Sequence, residues 1–351
     1  MTFSSASERA GLVQKLAAVK LNAAAAITDE FFANHPDWVE RYGARGRQHC
    51  TADACFHIEF LAGAIEAGSP EAFANYSRWT ARMLGSRGIA AHTLEENLAQ
   101  LEKHLCALLL PKEGEAVKIF LTRGREACQG PEPAPVAQPG EGLGLTRNVF
   151  LTAILMGQRQ AALSIVEDAL GSGHDLVDVY VNLFAESLHR VGQLWELNQI
   201  SVAQEHIATS IAQYAIAAIY PRMVPAEVKR GNMVVTGVAG ELHQIGANLV
   251  ADAMEAKGWA VQFLGTNLPH SSVLSVVEEC SANVLCISTT LLANLPAVAE
   301  LIAVVRTRLK EKAPMILLGG AAYDAAPQFA AEVGDVQAFT GLREAMAVVC
   351  A

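Results

Sequence analysis

A chain of 351 residues has room for two or three domains, and with 52% hydrophobic against 18% charged residues it is not a largely disordered one. A net charge of -10 at pH 7 argues against a built-in nucleic-acid surface, because neutralising phosphates needs clustered Lys and Arg. Seven scattered cysteines with no Cys-x-x-Cys pair fit a reducing compartment rather than a stapled secreted fold. No charged and apolar leader opens the chain, and no uninterrupted run of about 18 apolar residues is visible, so a cytoplasmic protein without membrane contact is expected.

Residues 1–125 read as helix after helix. Asp29 through Trp38 reads as a helix end and turn, since proline disfavours the helical conformation before it. Apolar residues then recur at three and four from Cys50 to Ala67. Ser69 followed by Pro70 and Glu71 is a helix start carrying Phe73, Tyr76, Trp79 and Leu84, and a last helix is expected from Thr93 to Leu110, before Pro111. This all-α unit gathers Arg41, Arg45 and Arg47 ahead of His49, Cys50, Asp53, Cys55 and His57. Arginines can clamp propionates, and an aspartate can accept several pyrrole N–H groups. Against this, the same residues serve equally as a solvated turn, a core histidine and buried thiols.

Residues 126–144, with Gly130-Pro131-Glu132-Pro133-Ala134-Pro135, read as a linker. Residues 145–228 follow as a helical unit expected to form a four-helix bundle, with breaks near Gly157, Gly171-Ser172-Gly173 and Asn198. Its final helix is capped by Ser201 and carries Glu205-His206, ten residues after Trp195. Residues 229–351 then alternate strand and helix, with strands at 233–238, 261–265, 284–288, 315–319 and 336–340. That alternation predicts a Rossmann-like parallel sheet of five strands.

Between the first strand and its helix stands Glu241-Leu242-His243-Gln244-Ile245-Gly246. A histidine at the carboxyl edge of such a sheet lies where these folds bind ligands, and its neutral imidazole can ligate a metal when a partner such as Glu241 holds the second nitrogen. A glutamate beside a helix-entry histidine is also a common surface pair. The spacing Glu241-x-His243-x-x-Gly246 resembles the Asp-x-His-x-x-Gly signature of cobalamin-binding domains. The likeness continues through Gly265 and Leu268, through Ser288, Thr290 and Leu291, and through Gly319-Gly320, where missing side chains would let the backbone approach the cofactor's nucleotide tail. It implies that His243 is the lower axial ligand of cobalt.

Trp195 with Glu205-His206 resembles the cap of cobalamin-dependent photoreceptors of the CarH type, in which the tryptophan packs beside the adenosyl group and the glutamate hydrogen-bonds it. Glu196 replaces a histidine that binds cobalt after illumination in that family, so His206 or water is expected to take the upper position here. The runs 38–43, 49–50, 56–61 and 73–79 look like the sensor domain of photocobilins, which hold adenosylcobalamin and biliverdin in neighbouring sites. The resemblance implies Asp53 and His57 at the pyrrole nitrogens, Arg45 and Arg47 at the propionates and Cys50 as a candidate tether. Cys50-x-x-Asp53 also has the spacing of phycobiliproteins.

The resulting expectation is a light sensor, not an enzyme, with a helical bilin unit, a four-helix cap and a cobalamin domain. Light would change its self-association as a homo-oligomer. With no kinase, cyclase or DNA-binding segment read in the sequence, output would pass through self-association or a separate effector. The rival readings are a corrinoid methyl carrier of a methyltransferase system, and a haem-sensing module using His57 or His49.

Overall fold

The computed structural model describes residues 5–129, 143–223, 226–227 and 229–350. Helix α1 spans Ala6–Asn34, α2 Pro36–Glu66, α3 Pro70–Gly85, α4 Ala91–Leu108 and α5 Pro111–Ala127. The expected cap at Ser69 forms, its Oγ accepting from the Ala72 amide at 3.1 Å, and Ser5 Oγ accepts from the Glu8 amide at the start of α1.

Two prolines carry more than terminator logic allows. Pro36 and Pro111 each stand in the first turn of a new helix, where a missing N–H is harmless, so α5 continues the unit beyond the end expected at Leu110. The presumed turn at Arg41–Arg47 is helix on both sides of a kink at Gly43 (φ 57°, ψ -152°). By length and composition α1 could cross a membrane, with a mean hydropathy of 1.2 over its best 18-residue window. Single lysines interrupt that stretch, so no unbroken apolar run announces it. Its apolar side is taken up by packing, with Leu12, Leu16, Ala23 and Ile27 in the core shared with α2 and α4.

The middle unit consists of α6 (Gly144–Leu155), α7 (Arg159–Gly171), a stretch made of α8 (Leu176–Asp178), a π-helical segment (Val179–Ala185) and α9 (Glu186–Glu196), then α10 (Val202–Ile219). Left-handed residues make its turns: Gly157 at φ 74°, Gly173 at φ 93° and Asn198 at φ 55°. Ser201 and Gln204 form a capping box at the start of α10. Phe150, Tyr180, Phe184 and Ile211 lie in one core around which these helices pack, together with Leu249 of the next unit. The linker expected at 126–144 falls mostly on residues 130–142, outside the described residues.

The last unit runs β1 (Gly231–Gly237), α11 (Ile245–Ala256), β2 (Trp259–Phe263), α12 (His270–Glu279), β3 (Val284–Ser288), α13 (Leu295–Leu309), β4 (Met315–Gly319), α14 (Ala321–Ala325), α15 (Phe329–Glu332), β5 (Gln337–Phe339) and α16 (Leu342–Cys350). The strands are parallel in the order β2-β1-β3-β4-β5, so the chain reverses direction across the sheet between β1 and β3. Side chains alternate strictly. Val234, Leu285, Ile287 and Leu318 face a core shared with the N-terminal helices, while Met233, Val235, Cys286 and Leu317 face α11 and α16.

Helix α2 packs directly against the turn that follows β3. A Cβ on Gly63 of α2 would lie 2.0 Å from the Leu292 carbonyl oxygen, so only glycine lets the helix approach the β3–α13 turn. Alanine ordinarily gains about 1 kcal/mol over glycine inside a helix. Here the obstacle is backbone that cannot rotate away, and overpacking wins. Gly63→Ala is expected to destabilise the chain by about 1–3 kcal/mol, read as a lower midpoint in thermal unfolding; an unchanged or higher midpoint would contradict this packing.

Candidate functional site

The carboxyl ends of β1 and β3 flank the reversal point of the sheet, where open α/β folds form a crevice. Glu241, just beyond β1, is fully buried there. Its Oε1 accepts from the His243 backbone N–H at 2.9 Å and from His243 Nδ1 at 2.6 Å. Its Oε2 accepts from the Thr290 amide at 2.8 Å, Asn294 Nδ2 at 3.0 Å and the Leu291 amide at 3.4 Å. Burial pulls this carboxyl up, but the His243 side chain, the His243 and Thr290 amides and the His243 charge outweigh it and hold it at about 2. A permanent carboxylate therefore fixes Nδ1 as the protonated nitrogen and leaves Nε2 with a free lone pair. The His243 side chain is 53% exposed while its partner is 0% exposed, which is the geometry of a ligand presented on a rigid base.

The surface around this imidazole is shaped for a large ligand. Leu242 is 72% exposed beside it. Gly246, and Gly265 at φ 75°, have no atom within 4 Å of the place where a Cβ would stand. Gln244 caps α11 through its carbonyl, and Ile245 packs toward the middle unit. Leu268 bridges back to Val238, and Ser288 pairs in register with Gly237 at the strand ends.

Gly319 and Gly320 are both closely packed. A Cβ on Gly319 would strike the Phe339 ring at 2.3 Å, and one on Gly320 the Thr289 carbonyl at 2.3 Å. At both positions the missing side chain makes room for protein. Three positioning residues escaped the sequence reading. Asn294 braces Glu241, Asn267 (φ 61°) accepts from the Gly240 amide at 2.9 Å, and Tyr323 donates to the buried Thr289 at 3.0 Å. None lies at a recognisable spacing from His243, so no local signal marked them.

In the middle unit, Trp195 is half-buried, and Val202, Glu205 and Thr209 follow one another at helical spacing along α10. Glu205 accepts from Thr209 Oγ1 at 2.7 Å and pairs with His206 Nδ1. His206 is exposed and lines a concavity of about 450 Å³ with Gly157, Arg159, Ile207, Ser210 and Ile211; Trp195 is not part of that wall. Val202, 57% exposed at the start of this face, is an apolar candidate that the sequence reading passed over. Glu196, in the position of the expected photoproduct histidine, is paired with Arg82 of α3.

The N-terminal candidates divide. Cys50, Asp53 and His57 share a face of α2 at spacings of three and four. Arg45 and Arg47 point roughly 200° apart on that helix, and Arg47 pairs with Asp29 and lies 5.0 Å over the Phe32 ring, so the two do not form a common clamp. His57 is buried, bonded to Tyr76 Oη at 2.7 Å and pushed down by burial to about 4, so it is a neutral member of the helix interface rather than a group offered to solvent. Tyr76 stacks on Phe60 at 3.9 Å and neighbours Trp79. Asp53 is solvent-accessible, yet surrounding protein raises its carboxyl, with His49 opposing. Burial likewise raises the Cys50 thiol.

Comparison with known proteins decides what this crevice takes. A B12 binding domain profile matches residues 231–349, and a second B12 binding domain profile matches residues 146–220. This is a cobalamin-binding chain. It is 28% identical over 176 residues to methionine synthase of Mycobacterium leprae, covering 48% of this chain and only 14% of that enzyme. It is 24% identical over 172 residues to dimethylamine corrinoid protein 1 of Methanosarcina mazei, covering 48% of this chain and 79% of the relative. The solved monomethylamine corrinoid protein of Methanosarcina barkeri shares the fold, with a TM-score of 0.54 at 17% identity over 60% of this cobalamin-binding chain and 99% of its own. The donor set fits the cofactor: one exposed imidazole with its second nitrogen held, an exposed leucine beside it and open glycines.

Proposed function

We propose that the chain is a photosensor in which His243 holds adenosylcobalamin from below, the face of α10 with Trp195 covers it from above, and the N-terminal helices carry biliverdin. Bound adenosylcobalamin supplies a cobalt–carbon bond that visible light breaks. The protein's part is mechanical: Glu241 orients His243, while Trp195, Val202 and Glu205 would wall the bound cofactor on the side of the middle unit and would lose a packing partner if its organic ligand left. The bilin reading rests on Asp53 and the aromatic cluster of Phe60, Tyr76 and Trp79. Arg45 and Arg47 do not converge as a propionate clamp.

The observation that carries the sensor reading is the tethering of the middle unit from both sides. Arg82 of α3 and Arg87 just beyond it hold its Trp195–Glu196 end, while Tyr180 donates to Asp252 of α11 at 2.8 Å and Arg343 pairs with Asp178. A carrier must uncover its cofactor to a partner enzyme, whereas a sensor needs only to release a small group. The family matches begin at residue 146, and the sensor reading gives α1–α5 a task.

The similar proteins support a second reading more directly. Their names are those of corrinoid proteins and methionine synthase, which favours a methyl carrier. The readings separate on one sample. The full chain loaded with adenosylcobalamin and biliverdin is expected to show a far-red band, to photolyse faster than free cofactor under green light, and to change its elution volume as self-association changes. Photolysis no faster than free cofactor, with unchanged assembly, would leave the methyl carrier.

A further inference from the structure

Helix α3 has two ends with different surroundings. Its middle carries Tyr76 and Trp79, which with Phe60 and His57 make the aromatic cluster behind Asp53. Its last turn and the residues after it grip the middle unit. Arg82 Nε donates to Glu196 at 2.6 Å. Ser86 Oγ donates to the Glu196 carbonyl at 2.9 Å, and Asn198 Nδ2 donates to the Ser86 carbonyl at 3.4 Å. The Arg87 guanidinium lies 5.1 Å over the Trp195 ring and donates to the carbonyls of Trp195 (3.1 Å) and Glu196 (3.0 Å). It also donates to the Met83 carbonyl at 2.9 Å, which ties the latch to α3 itself.

These contacts are of a kind that discriminates between positions of Trp195. A guanidinium stacked on an indole while bonded to two adjacent carbonyls is satisfied in one arrangement of the α9 terminus and loses several donors in any other. The segment it holds ends in Asn198, whose left-handed backbone fixes the turn into α10. The Arg82–Glu196 pair is largely shielded, with side chains 29% and 14% exposed, so salt screens it less than a surface pair.

We infer that Arg82, Ser86 and Arg87 form a latch that couples the position of Trp195 to the N-terminal helices, with α3 as the rigid link between the aromatic cluster and the middle unit. Arg87 is a positioning residue for the tryptophan, and Glu196 is the anchor of the N-terminal unit instead of a cobalt ligand. Because coupling between sites is reciprocal, a ligand seated against Tyr76 and Trp79 biases Trp195 as much as the cofactor below Trp195 biases α3. This inference rests on the reading that Trp195 faces the cofactor, and not on any response to light.

Hydrogen exchange on the full chain in darkness tests it, with adenosylcobalamin as the probe. Loading is expected to slow exchange in the peptide covering residues 79–90 by about fivefold or more, the scale of ordinary coupling between sites. In the Arg82→Gln/Arg87→Gln double variant that response should vanish, although the variant still saturates with cofactor, and its affinity shifts by a factor comparable to the coupling lost. Arg87→Lys, which keeps the charge and loses the planar fork, should restore little of it in the Arg82 parent background. A parent chain whose 79–90 peptide ignores cofactor, or a double variant that still responds, would overturn the latch. A chain that is blind to light but shows the dark coupling would overturn the photosensor and leave the latch standing.

Discussion

His243→Ala, titrated with cobalamin, is expected to lose the absorption signature of cobalt held by an imidazole nitrogen. Affinity should fall by at least the roughly 10–100-fold that loss of a mere outer partner costs a metal site. The reason is local. Among the described residues, His243 is the exposed donor at the crevice whose second nitrogen is held by a buried carboxylate, and neither Gln244 nor Leu242 offers cobalt an equivalent lone pair. The variant should fold normally, because the imidazole is largely exposed and Glu241 keeps its bonds to Thr290 and Asn294. An unaltered spectrum and affinity would remove His243 from the metal and with it the assignment of the lower face.

Glu241→Gln should have the opposite balance, with a large effect on the fold and a second one on the cofactor. The amide puts a donor where Thr290, Leu291, Asn294 and His243 already present donors, so at least one buried N–H loses its acceptor. The native carboxyl titrates at about 2, below its ordinary 4.5, which makes its contribution to stability fully present above pH 4.5 and lost as pH falls from there through about 2. The cost of the substitution is expected near 3 kcal/mol at pH 7, shrinking to little by pH 2. Denaturant unfolding of parent and variant at several pH values reads it, and a pH-independent gap would contradict the buried-carboxylate account. Cobalamin affinity should fall about 10–100-fold as His243 loses its tautomer-fixing partner.

Much of the architecture was readable before the fold was seen, for reasons that differ by region. Strands β3 and β4 were placed to the residue because buried parallel strands are short apolar runs bounded by turn residues, as in Val284–Ser288 and Met315–Gly319. β1 and β2 begin two residues earlier than expected, since Gly231 and Trp259 pair in the ladder although nothing in their own types demands it. Helix α5 was missed because proline ends one helix and begins another with the same residue, and only the packing of α5 on α3 and α4 decides between them. Arg45 and Arg47 were read either as a clamp or as part of a solvated turn, and the helix that runs through them instead turns them apart.

Sequence alone determined that a histidine with an acidic partner sits where a strand gives way to a helix, that a helical unit precedes the sheet, and that Ser201 starts the helix bearing Glu205. These are local matters of spacing, capping and periodicity. Only the tertiary structure decided that Glu241 is buried and braced by Asn294 from 53 residues away, that Gly319 makes room for Phe339 and Gly63 for Leu292, and that Glu196 is tied to Arg82. Each of these joins segments distant in sequence, and a partner brought in by the fold leaves no mark on the spacing of its neighbours.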